Sequence, residues 1–281
     1  MPGSLLVRPE ADETGYADNA GTRIAWYRYG DGRDTILLIP TWNFVDSRVV
    51  RHQVEAFRAN ARVITYDARG SGESDHPPSG YRFDDHVADA LAVMDATGTT
   101  IASVVAASTG THVAALLALR HPERARHIVL IAPPMDVPGA PSRDAVDGSK
   151  PHDEPDWRTD YPAFVDWFIH ACFPEPGAEV TIAEIIELAL GADHAMLIQE
   201  SDELDWDNVP AQLGEIRCRA MVIHGVADPT LAVEAVRPVA SAVPGAELVL
   251  LDGLGHRPDI SRPDIVDPII AAFIGIPSRD G

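Results

Sequence analysis

Short aliphatic and β-branched runs alternate with longer amphipathic stretches along most of this chain, a rhythm that restricts it to βαβ units around a mostly parallel sheet. Ile36 to Ile39, Val63 to Tyr66, Ile101 to Ala106 and Ile128 to Ile131 are nearly continuous apolar runs, as strands buried on both faces require. Thr22 to Tyr29 reads as an earlier antiparallel strand after the turn-like Asp18-Asn19-Ala20-Gly21. Helices are expected from Ser47 to Ala59, with Val50, Val54 and Phe57 on one face, and from Gly110 to Arg120, ending before Pro122. Another is expected from Asp84 to Thr97, capped by Asp84 or Asp85 and stopped by Gly98. After Ala220 the rhythm returns, with strands at Ala220 to His224 and Glu247 to Leu251 and helices after Thr230 and Pro263.

Between Pro133 and Glu215 the alternation stops. Aromatic residues collect there (Trp157, Tyr161, Phe164, Trp167, Phe168 and Trp206), and from Arg143 to Glu215 there are 18 acidic side chains against 3 basic ones. This one segment holds most of the net charge of −21. The reading is a core of residues 1–132 and 216–281 with a cap or lid, 133–215, inserted into it.

The same charge excludes nucleic acid as a partner, since backbone binding needs clustered Lys and Arg, and disfavours an anionic membrane surface. Cys172 and Cys218 are the two cysteines and neither sits in a Cys/His cluster, so no disulfide framework or metal site is expected. No basic stretch followed by an apolar run opens the chain, and no apolar run reaches spanning length. The expectation is a cytoplasmic protein.

Val104-Val105-Ala106-Ala107-Ser108-Thr109-Gly110 lies between an expected buried strand and an expected helix. A serine in so tight a turn needs very small neighbours two residues away on each side, and Ala106 and Gly110 meet that need. Such a turn aims the hydroxyl out of the sheet while the following helix presents backbone N–H groups. Ser108 and Thr109 would also serve as an ordinary helix cap. Two features elsewhere favour chemistry. Asp228, in Val-Ile-His-Gly-Val-Ala-Asp-Pro, follows one strand, and His256, in Leu-Asp-Gly-Leu-Gly-His, follows the next. Both fall where ligands bind in open α/β sheets, at the carboxyl ends of strands.

With these residues in place the chain resembles the α/β-hydrolase superfamily over nearly its whole length. The order Ser108, Asp228, His256 is that family's order of nucleophile, acid and base. Asp67-Ala-Arg69-Gly70-Ser-Gly72-Glu-Ser74 resembles its Asp-x-Arg-Gly-x-Gly-x-Ser loop, and His121-Pro122-Glu123-Arg124 resembles the segment after its nucleophile helix. The resemblance implies an eight-strand type of sheet and acyl transfer through an acyl-enzyme, with no metal or organic cofactor. It also implies an oxyanion hole of two backbone N–H groups, those of Thr109 and Trp42. The chain departs from the family where Ala106 and Thr111 replace glycines and where Pro40-Thr41 replaces a His-Gly pair, so an oxyanion loop of different shape is expected. Asp136, after the preceding strand, is the alternative acid.

The remaining candidates carry structural expectations. His224, His112 and His127 are read as structural, Asp67 and Arg69 as a loop clamp, and Glu73 as solvated. Trp42, Trp157 and Trp167 are candidate walls of a pocket for a small molecule with an apolar part. The leading function is hydrolysis of a small ester, thioester or related acyl compound. Carbon–carbon cleavage, cofactor-free oxygen chemistry with His256 as base, and a non-catalytic ligand-binding role stay open.

Overall fold

A computed structural model describes residues 6–140, 154–206 and 209–277; parts of the expected insertion, 141–153 and 207–208, lie outside the described residues. The strands are β1 (Glu13–Asn19), β2 (Thr22–Tyr29), β3 (Thr35–Ile39), β4 (Arg62–Tyr66), β5 (Ala102–Ala107), β6 (Ala125–Ile131), β7 (Arg219–Gly225) and β8 (Glu247–Leu251). They form one sheet in the order β1-β2-β4-β3-β5-β6-β7-β8. The pairs β1–β2 and β2–β4 are antiparallel and the other five are parallel.

The helices are α1 (Arg51–Phe57), α2 (Phe83–Ala96), α3 (Gly110–Arg120), α4 (Tyr161–Cys172), α5 (Glu179–Leu190), α6 (His194–Glu203), α7 (Val233–Ala242), α8 (Pro258–Ser261) and α9 (Pro263–Ile274). Alternate strand residues face two cores. Val104 and Ala106 of β5 pack with α2, α3 and α7, while Val105 and Ala107 pack with α1 and α9. Side chains such as Leu116, Leu117, Ile128 and Ile270 have no exposed surface, and burying each contributes about 1.5–3 kcal/mol.

A third cluster joins α4, α5 and α6 to Val45, Val49, Tyr81 and Ile260. Those four residues follow β3, β4 and β8, so this layer of helices covers the carboxyl ends of the strands. Leu204, Val209 and Leu213, at the end of the acidic segment, turn back into the core beside α3.

Three local differences from the sequence reading have plain causes. β1 escapes the sequence pattern because it is an edge strand whose seven residues are mostly exposed. It pairs with β2 through a hairpin in which Ala20 and Gly21 both have positive φ, as the tightest turns require. The helix expected from Ser47 begins instead with a 3-10 turn, Ser47–Val50, in which Val49 N–H donates to the Asp46 carbonyl three residues back at 3.2 Å. In α2, Asp85 lies inside the first turn and its carboxylate accepts from the Arg82 N–H at 3.1 Å.

Asp67 and Arg69 do not clamp one another. Asp67, fully buried, accepts from Arg8, from the Tyr27 hydroxyl, from the Ser47 backbone and hydroxyl, and from Glu73 N–H. Arg69 pairs with Asp89 at 2.6 Å. The two residues therefore fasten the loop after β4 in different directions.

Asp267 on α9 accepts from the Gln53 amide at 3.1 Å, and burial pushes its carboxyl up to about 7. An unfolded carboxyl titrates near 4. The folded state thus keeps a proton that the unfolded state has released, and the stability present below about pH 4 is lost as the pH rises through about 7. Asp267→Asn keeps the acceptor and removes the titration. Denaturant unfolding should find it more stable than the parent at pH 8 by about 1–3 kcal/mol, with a flatter dependence between pH 4 and 7. A variant less stable than the parent at pH 8 contradicts this.

Candidate active site

Ser108 leaves the end of β5 with φ +50°, a left-handed backbone that costs an ordinary residue about 1–2 kcal/mol. Its N–H donates to the Ile131 carbonyl at the end of β6, 2.8 Å away. Its carbonyl accepts from the Thr111 N–H at 2.9 Å and the Thr111 hydroxyl at 2.6 Å. Gly110 packs so closely on β3 that an added Cβ would lie 2.2 Å from the Pro40 carbonyl oxygen. Strand pairing on one side and the start of α3 on the other leave the turn one conformation.

His256 follows β8 on a loop tied to α4: its backbone N–H donates to the Cys172 carbonyl at 2.9 Å. Gly255 N–H donates to Glu175 at 3.0 Å. Gly225, ending β7, must be glycine because an added Cβ would sit 2.1 Å from the Gly255 carbonyl oxygen. That close approach draws the loops after β7 and β8 together. The His256 Nδ1 meets Asp228 Oδ2 at 2.6 Å and its Nε2 meets Ser108 Oγ at 3.0 Å.

The other oxygen of Asp228 accepts from Thr230 N–H, the Thr230 hydroxyl and Leu231 N–H, at 2.8, 2.8 and 3.1 Å. Burial pushes the Asp228 carboxyl up, but the facing His256 and these donors outweigh it and hold it below the usual carboxylate range. The ionised carboxylate accepts a hydrogen bond from Nδ1–H and so holds the proton on that nitrogen, which leaves Nε2 as acceptor for the serine hydroxyl. Asp136 is exposed in the loop after β6, and the Nδ1 position is occupied by Asp228. His224, fully buried with Nδ1 4.0 Å from Asp228, is held below its ordinary range by that burial and stays neutral. His127 meets the Ser103 hydroxyl at 3.0 Å and His112 stacks on Phe83, so neither reaches Ser108.

Two cavities meet at Ser108, and both are lined by Ser108, His256, Trp42 and Phe168. The narrow one, about 30 Å³, is walled by Val45, Ile169, Phe173 and Ile260. Arg257 also lines it, but its guanidinium is paired with Asp259 at 2.7 Å. The wider one, about 270 Å³, is walled by Trp157, Ser201, Leu204 and Trp206. Trp42 packs edge-on against Phe44, Trp157 and Phe168 at 5.0–6.1 Å. Trp167 lines neither cavity and packs on Phe164. Phe168, Trp206 and the Cys172 carbonyl are the wall and anchor groups that sequence reasoning did not single out.

A family model described as the alpha/beta hydrolase fold matches residues 34–258. The chain belongs to the α/β-hydrolase family. Within that family, a 2-hydroxymuconate semialdehyde hydrolase of Pseudomonas putida is 26% identical over 220 residues, 76% of each chain. A shorter stretch of 81 residues is 41% identical to a Caulobacter segnis protein, spanning 28% of this chain and 30% of that one. Among solved structures, an esterase from Exiguobacterium antarcticum matches with a TM-score of 0.81 at 19% identity, covering 94% of this chain and all of that one. In this α/β-hydrolase no helix among the described residues is long and apolar enough to cross a membrane.

The fit of Gly110 against Pro40 yields a direct test. Gly110→Ala should lower the unfolding free energy by about 2 kcal/mol or more, read by denaturant titration. A loss under about 0.5 kcal/mol would show that the contact is not tight.

Proposed function

We propose that this protein is a serine hydrolase acting on a small carboxylic ester, thioester or related acyl compound with an apolar part, with Ser108 as nucleophile, His256 as base and Asp228 as the acid that orients it. The observation that carries the reading is the unbroken line from Asp228 through His256 to a strained serine hydroxyl that faces two cavities. His256 Nε2 takes the serine proton as Oγ attacks the carbonyl carbon, and Asp228 stabilises the imidazolium that forms. The proton then passes to the leaving group. A water activated by the same nitrogen attacks the ester, returns the acyl group as an acid and restores Ser108.

Trp42 and Thr109 are the proposed oxyanion donors through their backbone N–H groups, and both residues border the wider serine cavity. Residues 133–215 are proposed as the cap, with α4 to α6 as its described part. Its aromatic walls suit an apolar substrate, and its acidic excess disfavours strongly anionic ones.

The test is labelling with a fluorophosphonate followed by peptide mapping, alongside a panel of p-nitrophenyl esters. One adduct on Ser108 is expected, absent in Ser108→Ala, with kcat lowered by about 10³-fold or more in Ser108→Ala and in His256→Ala. Full turnover in Ser108→Ala with loss only in His256→Ala would contradict the acyl-enzyme route and move the chemistry to the histidine.

A further inference from the structure

Glu175 lies just after α4, is buried, and borders neither of the cavities at Ser108. Its Oε1 accepts twice, from the Gly255 N–H at 3.0 Å and from the Ser261 hydroxyl at 2.7 Å. The two donors flank His256. Gly255 immediately precedes it, and Ser261 ends α8, where its own N–H donates back to the Arg257 carbonyl at 3.1 Å. One carboxylate oxygen therefore holds the backbone on both sides of the imidazole-bearing residue.

The segment that carries Glu175 meets the same loop at two further points. The Cys172 carbonyl accepts from His256 N–H at 2.9 Å. Gly255 packs so closely that an added Cβ would lie 2.3 Å from Pro174 Cδ and 2.5 Å from the Cys172 carbonyl oxygen. A shift of residue 255 is thus a shift of the whole contact.

We propose that Glu175 is a positioning residue for His256: by accepting from Gly255 N–H and the Ser261 hydroxyl, it sets the loop at the one place from which the imidazole meets Asp228 and Ser108 together. The proposal rests on the assignment of His256 as the base. A buried backbone N–H outside a ladder needs an acceptor, and leaving it unpaired costs about as much as a lost hydrogen bond. Its neighbours find carbonyls: Leu254 N–H donates to Leu251 and His256 N–H to Cys172. Gly255 N–H turns instead to the Glu175 side chain. The arginines of this stretch are engaged elsewhere, Arg257 with Asp259 and Arg262 with Asp264, both at 2.7 Å. What Glu175 supplies is an acceptor at a fixed reach rather than a counter-charge. The imidazole has little tolerance, with bonds of 2.6 Å on one nitrogen and 3.0 Å on the other, and a misplacement of about 1 Å can slow a reaction about 100-fold.

The experiment compares the parent with Glu175→Gln, Glu175→Asp and Glu175→Leu as full chains. It measures kcat and KM on a p-nitrophenyl ester, and the proton NMR resonance of the His256 Nδ1–H, which the short bond to Asp228 moves far downfield. Gln keeps an acceptor oxygen at the same reach without the charge, whereas Asp keeps the charge one methylene short. Glu175→Gln should hold kcat within about threefold of the parent and keep the downfield resonance. Glu175→Asp and Glu175→Leu should lose about 10- to 100-fold in kcat, with KM changed less than about twofold, and the resonance should move upfield or vanish. If Glu175→Leu does not fold, the Gln and Asp pair still decides. A folded Glu175→Asp with parental kcat and resonance, a Glu175→Gln that falls as far as Glu175→Asp, or changes confined to KM overturn the assignment. Turnover retained in Ser108→Ala would instead overturn the hydrolase reading beneath it, so the two failures are distinguishable.

Discussion

The left-handed backbone at Ser108 is the constraint on which the site depends. An unsupported residue would relax out of φ +50°, taking the hydroxyl with it. It stays because the Ile131 carbonyl at the end of β6 accepts its N–H, and because Gly110 brings α3 against the Pro40 carbonyl at the end of β3. β3, β5 and β6 are adjacent parallel strands buried on both faces. The strain of one residue is thus borne by the regular pairing of the sheet centre, where local adjustment is least available.

The histidine arrives by a different route. The loops after β7 and β8 approach closely only because Gly225 lacks a side chain, and the His256 loop is fastened to α4 through the Cys172 carbonyl. The helices over the strand ends therefore hold the imidazole as well as wall the cavities. The acidic character of this layer is largely a surface matter, since Asp166, Glu179 and Asp202 are exposed. Its buried carboxyls are the exception. Glu184 is matched by Arg51 at 2.5 Å, whereas Glu200 has His86 at 3.7 Å, an imidazole that burial pushes down to about 4.

Much of this was legible in the chain. Seven of the eight strands were located, four of them by nearly continuous apolar runs, and the small residues around Ser108 announced a tight turn. Asp228 and His256 stood out because each follows a strand, and the structure brings both side chains into hydrogen bonds. What the sequence hid depends on contacts between distant segments. Arg8 meeting Asp67, Arg69 turning to Asp89, and Arg51 meeting Glu184 have no periodic signature. Trp167 and Phe168 are neighbours on one helix, and only the packing of α4 decides which of them faces the cavities. β1 was hidden for the opposite reason, its edge position leaving too few buried residues to form a pattern.

The central claim is that a covalent bond forms at Ser108 during turnover. Rapid-quench intact-mass analysis during hydrolysis of an activated ester tests it most directly. The account predicts a transient increase equal to the acyl group, mapped to Ser108 and formed in a burst ahead of steady-state turnover. Steady turnover with unmodified protein at every time point, under conditions that trap an acyl-enzyme, would contradict it.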